Sequence, residues 1–236
     1  MPRPEHEGHT PFNLIIFDCD GVLIDSESIS CGIQAEELSR LGYKTSTNDI
    51  MRRFTGVTTK EMYKIIEEEW GQTIPETFEN QVSLRTEEAY RDELRIVPGV
   101  REVLDSIDVP MCVASSSAPH KLRLGLEIVG LYERFAPSIF SASQVARGKP
   151  APDLFLFAAE RLGVAPSECL VIEDSVAGVK AARSAGMTVF GFSGGSHCGT
   201  GHDTALLDAG ANLTFSNMAT LPELLRSERR GEPQSA

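Results

Sequence analysis

The hydrophobic pattern of the chain is a series of short apolar runs, each ending abruptly in polar residues. Runs of this length without polar alternation are typical of strands that are buried on both faces, as in a parallel sheet. Strands are therefore predicted at residues 12–17, 111–114, 169–172 and 187–192, with a weaker one at 212–215.

Segments in which apolar residues recur with helical spacing separate these runs. They cover residues 100–107, 119–129, 152–162 and 176–185. The last of them ends at Gly186, a residue type that favours helix termination. This alternation of strand, polar turn and helix predicts an α/β fold, a doubly wound parallel sheet.

Residues 26–92 interrupt the alternation, because they have helical spacing throughout and almost no strand signal. They predict an all-helical cap domain that is inserted after the first strand. The remaining segments are a polar, disordered leader, the two parts of an α/β core, and a polar tail. Their expected bounds are residues 1–11, 12–25 with 93–226, and 227–236.

Polar residues at the ends of the predicted strands are the candidates for chemistry, because doubly wound sheets bind ligands beyond the carboxyl ends of their strands. These residues are Asp18, Asp20, Gly21, Ser115, Ser116, Glu173 and Asp174, with Lys149 behind a weak run at 138–140. A single aspartate there is often only a turn former or a helix cap. Several converging carboxylates repel one another and need a cation, and oxygen ligands suit Mg²⁺.

Four segments resemble, in the family's order, the motifs of the haloacid dehalogenase superfamily, in its phosphatase and β-phosphoglucomutase-like branch. The first reads Asp-Cys-Asp-Gly-Val-Leu-Ile-Asp-Ser from Asp18 and the second is Ser115. The third is Gly-Lys-Pro-Ala-Pro-Asp around Lys149, and the fourth is Glu-Asp-Ser-Val-Ala-Gly from Glu173. The resemblance spans about residues 13–225, and the helical insert matches the family's mobile cap in position and type.

The resemblance implies a covalent phosphatase mechanism that uses Mg²⁺. Asp18 would attack phosphorus to form a phosphoaspartate, and Asp20 would act first as acid and then as base. The residues expected to contact the phosphate or the substrate are Gly21, Ser115, Ser116 and Lys149. The expected metal ligands are Asp18, Asp174 and the backbone carbonyl of Asp20, with Glu173 as a further ligand or a neighbour of the metal.

Alternatives to a phosphatase remain open at this point. Dehalogenases of the family lack the second aspartate, so Asp20 argues against that activity. The mutase of the family uses a His and an Arg in its cap region, where this chain has Ser30 and Thr59. A phosphatase is therefore preferred to a β-phosphoglucomutase-type transfer. A regulator that binds a phosphorylated metabolite without turnover is the remaining alternative.

The substrate is expected to be a small phosphorylated metabolite, with a sugar phosphate or a phosphosugar acid such as 6-phosphogluconate suggested by analogy. Its selection would fall to the cap. Arg85 is the cap cation expected to reach the site, since it lies where the family places a lysine that points at the core.

Composition narrows the partners and the compartment. The chain has 236 residues and a formal net charge of −12, which argues against nucleic acid as a partner. Five scattered cysteines without a close pair argue against disulfides, and no apolar stretch is long enough for a membrane span. A cytoplasmic enzyme, monomeric or weakly dimeric, is the expectation.

One further cluster, His197, Cys198 and His202, lies in a glycine-rich stretch and suggests zinc. A structural zinc site has four ligands and better-defined spacing. A flexible loop without metal is therefore the interpretation adopted from the sequence.

Overall fold

A computed structural model describes residues 10–54 and 57–230. The predicted leader lies almost wholly outside the described residues. Six strands form one parallel sheet in the order β3-β2-β1-β4-β5-β6. The strands are β1 (Leu14–Phe17), β2 (Met111–Ser115), β3 (Ile139–Ser141), β4 (Cys169–Glu173), β5 (Thr188–Phe192) and β6 (Leu213–Phe215).

The apolar runs form strands because the sheet is covered on both sides. All four side chains of β1 are fully buried, and successive residues point to opposite faces. Ile15 and Phe17 pack into one hydrophobic cluster, and Leu14 and Ile16 into the other. This double burial explains why the strands contain no polar alternation.

Helices cover both faces of the sheet, as the sequence predicts. One face carries α5 (Val100–Ser106), α6 (Pro119–Ile128), α7 (Tyr132–Phe135) and α11 (Leu221–Arg230). The other carries α8 (Asp153–Leu162), α9 (Val176–Ser184) and α10 (His202–Ala209). The predicted α/β fold class with a doubly wound parallel sheet is confirmed.

The insert after β1 is helical and has a hydrophobic cluster of its own. Its helices are α1 (Glu27–Leu41), α2 (Thr47–Phe54), α3 (Thr59–Trp70) and α4 (Phe78–Glu93). Local signals set the ends of α3: Thr58 accepts a hydrogen bond from the backbone N–H of Glu61, and Gly71 ends the helix with a φ of 70°.

The polar tail predicted from residue 227 begins too early. Helix α11 continues to Arg230, because its first turns are anchored by Leu221 and Leu225, which are buried against the sheet. Helix propagation through the following polar residues then costs little once this apolar stripe is docked. None of the helices in the described residues is long and apolar enough to cross a membrane.

The strand order places the functional residues. The direction of winding reverses at β1, which lies between β2 and β4. A crevice forms where the connections leave in opposite directions, beyond the carboxyl ends of these strands. The predicted site residues therefore come from three adjacent strands, together with the loop after β3.

Candidate active site

Three buried carboxylates meet at the carboxyl ends of β1 and β4. Each of Asp18, Glu173 and Asp174 offers an oxygen atom, and these atoms lie within 4.8 Å of one another. Burial raises the pKa of Asp18 well above its ordinary value, and repulsion from Glu173 adds to this effect. Burial likewise raises the pKa of Glu173. The cluster is therefore under electrostatic strain that a cation relieves.

Lys149 is the cation that the chain itself supplies. Its Nζ lies 3.1 Å from Asp18 Oδ1 and 2.7 Å from Glu173 Oε2, and its side chain is fully buried. Burial alone would lower its pKa, but the two carboxylates outweigh burial and raise it. Lys149 therefore stays charged at neutral pH. His197, whose Nε2 lies 2.9 Å from Asp174 Oδ2, adds a second positive charge when protonated, and the three carboxylates still exceed these two cations by one charge.

Asp20 has a different environment from Asp18, although only one residue separates them. Its carboxylate accepts hydrogen bonds from Ser26 Oγ at 2.6 Å, Ser117 Oγ at 2.7 Å and Ser115 Oγ at 3.3 Å. Burial would raise its pKa, but Lys121 and these hydroxyls outweigh burial and lower it. The two aspartates therefore have pKa values pushed in opposite directions, as expected for groups with different chemical roles.

The donor set fits a hard divalent cation. All the donors of the carboxylate cluster are oxygens, and Asp18 Oδ1 is buried without an aligned hydrogen bond in the described part of the chain, while Asp174 Oδ2 lies 2.9 Å from His197 Nε2. Glu173 is already engaged, because Oε1 accepts a hydrogen bond from Ser175 Oγ at 2.6 Å and Oε2 contacts Lys149. Asp18 and Asp174 are thus better placed as direct ligands, while Glu173 lies beside them.

A cavity of about 280 Å³ opens from this cluster toward the helical insert. Asp18, Asp20, Ser115 and Ser116 line its floor. Residues of the insert line most of the rest of the cavity. The polar ones include Ser30, Gln34, Thr59, Tyr63, Glu79, Asn80, Ser83 and Glu87, and the apolar ones include Ile50, Phe54, Val57, Met62 and Val82. The cavity therefore combines an apolar surface with hydrogen-bonding groups, as small-molecule sites do.

Arg85 lies outside the cavity, contrary to the expectation that it reaches the site. Its guanidinium lies 2.5 Å from Glu37 Oε1 and 2.8 Å from Glu36 Oε2, both on α1. These two carboxylates hold it between α4 and α1, and it is not among the residues that line the cavity. The sequence could not show that acidic partners one helix away would capture this side chain.

Lys121, which sequence reasoning missed, is the lysine that lines the cavity. Its Nζ donates a hydrogen bond to Ser30 Oγ at 3.2 Å and lies 5.5 Å from the centroid of the Tyr90 ring. Lys121 stands in the first turn of α6, where the helix dipole disfavours a cation. A lysine at such an unfavourable position, a few residues after Ser115 and Ser116, indicates a binding role. This signal was available in the sequence.

Gly21 keeps its place in the turn after β1 for two reasons. Its φ is 79°, and it donates a backbone hydrogen bond to the Ile24 carbonyl at 2.8 Å. A Cβ at this position would lie 2.0 Å from Asp174 Oδ2. The turn between Asp20 and α1 therefore passes directly against a candidate metal ligand.

Comparison with known proteins agrees with this geometry. A family model of haloacid dehalogenase-like hydrolases matches residues 12–186. The chain is 31% identical over 215 residues to the 6-phosphogluconate phosphatase of Escherichia coli, covering 90% of this chain and 94% of that protein. It is 34% identical over 203 residues to the phosphorylated carbohydrates phosphatase of Thermotoga maritima, covering 84% of this chain and 91% of that protein.

A solved structure gives the same result. A conserved haloacid dehalogenase-like protein of unknown function from Agrobacterium tumefaciens has a TM-score of 0.81 and 38% identity, covering 92% of this chain and 99% of that one. The chain therefore belongs to the haloacid dehalogenase-like hydrolases. Within that class it is a phosphatase, as its named relatives are.

Replacing Gly21 by Ala is expected to displace Asp174 and to lower kcat/KM by about 100-fold, the loss that a misplacement of about 1 Å commonly causes. Gly71→Ala is the matched control, because Gly71 also has a positive φ but has open space around it. The control should lose about 1–2 kcal/mol of stability and no activity. Steady-state kinetics and thermal unfolding check both variants. Equal activity in the two would contradict the assigned role of Gly21.

Proposed function

We propose that this chain is a Mg²⁺-dependent phosphomonoesterase of small phosphorylated sugars or sugar acids, 6-phosphogluconate among them, acting through a phosphoaspartate. The observation that carries the proposal is the placement of two buried aspartates, Asp18 and Asp20, on one turn that lines the cavity, next to the carboxylates of Glu173 and Asp174. Lys149 lies beside the first, and three hydroxyls surround the second. The roles that the motifs suggest for Asp18, Asp20 and Lys149 are part of this proposal.

Asp18 is the proposed nucleophile. Its carboxylate lines the cavity floor and lies within ion-pair distance of Lys149. An oxygen of Asp18 forms the new bond to phosphorus while the ester oxygen leaves with the bonding electron pair. Lys149, fixed by Glu173, offsets the negative charge that gathers as the phosphate approaches.

The metal would be held by Asp18, Asp174 and the backbone carbonyl of Asp20, with Glu173 adjacent. When bound, Mg²⁺ supplies positive charge that lowers repulsion between the phosphate and the carboxylates. The raised pKa of Asp18 supports this requirement, because an isolated carboxylate in that setting would hold a proton and be a poor nucleophile.

Asp20 is the proposed general acid and base. Its lowered pKa keeps it ionised in the resting enzyme, the form that accepts a proton from the water attacking the phosphoaspartate. Arrival of a phosphate dianion nearby raises that pKa by like-charge repulsion. Asp20 then takes a proton from solvent and gives it to the leaving oxygen. In the second step the water oxygen bonds to phosphorus while the bond between phosphorus and the Asp18 oxygen breaks, and the water proton goes to Asp20. Ser26, Ser115 and Ser117 hold the carboxylate in place for both steps.

Substrate selection is assigned to residues 26–92 as a cap domain. Their polar side chains give the cavity many partners for sugar hydroxyls, and Lys121 on the core offers a charge-assisted partner for a carboxylate. The relatives in Escherichia coli and Thermotoga maritima act on 6-phosphogluconate and on phosphorylated carbohydrates by name. These features support a sugar acid phosphate as substrate.

Hydrolysis is favoured over mutase chemistry by the residue types at two positions of the insert, Ser30 and Thr59, which carry neither an imidazole nor a guanidinium. The Ser30 hydroxyl is hydrogen-bonded to Tyr90 at 2.8 Å and to Lys121 at 3.2 Å. Water is therefore the proposed acceptor of the phosphoryl group.

A reducing compartment such as the cytoplasm suits the five free cysteines.

Asp18→Asn should reduce phosphate release from a panel of sugar phosphates to background, because an amide is a poor nucleophile. Asp105→Asn, which changes an exposed carboxylate on α5, should retain full activity. Phosphate release and sugar isomers are measured together, with circular dichroism to confirm folding. Substantial release by the Asp18 variant would exclude it as nucleophile, and isomers without phosphate release by wild type would indicate a mutase.

Treatment with a chelator should abolish the activity of the wild-type enzyme, and added Mg²⁺ should restore it. Asp174→Asn should need a higher Mg²⁺ concentration for half-maximal rate, because it loses a charged ligand. The Asp105→Asn variant again serves as the control. Full activity in excess chelator would show that the carboxylate cluster works without a metal.

Lys121→Met should raise KM for 6-phosphogluconate by about 10-fold or more, the value of one charge-assisted hydrogen bond. KM for a sugar phosphate without a carboxylate should change much less. The ratio of the two KM changes separates recognition of the acid from any effect on Asp20. Lys60→Met, at an exposed position of α3, is the control. An equal change for both substrates would refute a role of Lys121 in recognising the acid.

A further inference from the structure

The loop after β5 and the first turn of α10 bring three metal-binding side chains together. One ligand atom of each of His197, Cys198 and His202 lies within 4.8 Å of the others. The centroids of the two imidazole rings are 5.6 Å apart, and the rings are almost perpendicular. These residues are separate from the carboxylate cluster, but they approach it at Asp174.

Asp174, which the cluster of His197, Cys198 and His202 approaches through His197, offers a fourth candidate ligand atom. The Nε2 atom of His197 lies 2.9 Å from Asp174 Oδ2 and 3.4 Å from Cys198 Sγ. Such separations are close to the edges of a tetrahedron whose centre lies about 2.0–2.3 Å from each ligand, as in zinc sites. The sequence suggested only three ligands because Asp174 belongs to a different strand end.

Hydrogen bonding alone leaves this cluster unsatisfied. One nitrogen, His197 Nε2, faces both a carboxylate oxygen and a sulfur, and it can make only one aligned hydrogen bond. Asp174 Oδ2 is buried without an aligned hydrogen bond among the described residues although His197 Nε2 lies 2.9 Å away, and the His197 side chain is only 2% exposed. A single cation between Nε2, Sγ and Oδ2 would satisfy all three atoms together.

The backbone around the cluster is shaped for these side chains. The Nε2–H of His202 can donate to the backbone carbonyl of Asp174 at 2.6 Å, which leaves Nδ1 as the metal-binding nitrogen. A hydrogen bond from the other ring nitrogen to a carbonyl is the usual support of a metal-bound histidine. Gly195 leaves room for the His197 ring, because a Cβ at position 195 would lie 2.6 Å from His197 Cε1.

We propose that His197, Cys198, His202 and Asp174 Oδ2 form a Zn²⁺ site next to the Mg²⁺ site. Sulfur and nitrogen donors select a softer ion than the oxygen donors of Asp18 and Glu173. Asp174 has two carboxylate oxygens, so it can contact one ion on each side. The proposal goes beyond the phosphatase activity and stands whether or not the enzyme hydrolyses sugar phosphates.

Cobalt substitution tests the site directly, because Co²⁺ bound to a thiolate gives a near-ultraviolet charge-transfer band. Metal-free wild-type protein should bind one Co²⁺ with this band, and Zn²⁺ should displace it. Cys198→Ser should lose the band, while Cys169→Ser, at a buried cysteine of β4, should keep it. Asp18→Asn should keep it too, since that variant alters only the oxygen site.

Zn²⁺ affinity, measured by competition with a chromophoric chelator, gives the second readout. His197→Gln and His202→Gln should each weaken binding at least about 10-fold, the loss seen for altered metal-site partners. His120→Gln, an exposed histidine on α6, should leave it unchanged. Melting temperatures of the metal-free variants verify that they are folded.

Three outcomes would overturn the proposal. They are a wild-type protein without the thiolate band, a band that survives in folded Cys198→Ser, and Zn²⁺ binding that is lost in Asp18→Asn but kept in Cys198→Ser. The last would place zinc among the carboxylates alone.

Discussion

The buried contact between Lys149 and the carboxylates of Asp18 and Glu173 is the interaction on which the rest of the site depends. A buried ion pair adds little net stability compared with apolar packing, so its complete burial is better explained by chemistry. It holds Asp18, the proposed nucleophile, beside a fixed positive charge. The sheet order then brings Asp174 and Ser115 to the same place, because β1 lies between β2 and β4.

Most of the fold could be predicted from the sequence, because the patterns that determine its strands and helices are local. Unbroken apolar runs such as 169–172 are stable only when both faces are covered, so each predicted a parallel strand. Helical spacing in the insert was equally clear, since α3 begins and ends where its cap residues lie. The polar residues after the strands needed only the topological rule that ligands bind at those ends.

What could not be predicted depended on contacts between distant segments. Arg85 is held by Glu36 and Glu37 across two packed helices, and this pairing has no local signal. The contact between His197 and Asp174 also joins segments that are far apart in sequence, so the sequence offered only three candidate ligands for the proposed zinc site. Contacts between distant segments, rather than residue types, were the information that the sequence lacked.

The central claim is that Asp18 accepts the phosphoryl group. Rapid acid quenching of the Asp20→Asn variant with an aryl phosphate tests it, because that leaving group needs no proton and the second step lacks its base. Mass spectrometry of the digested protein should then show a phosphoryl group on the peptide that contains Asp18. Release of the aryl alcohol with an unmodified Asp18 peptide, or a phosphoryl group on Ser115, would contradict the account.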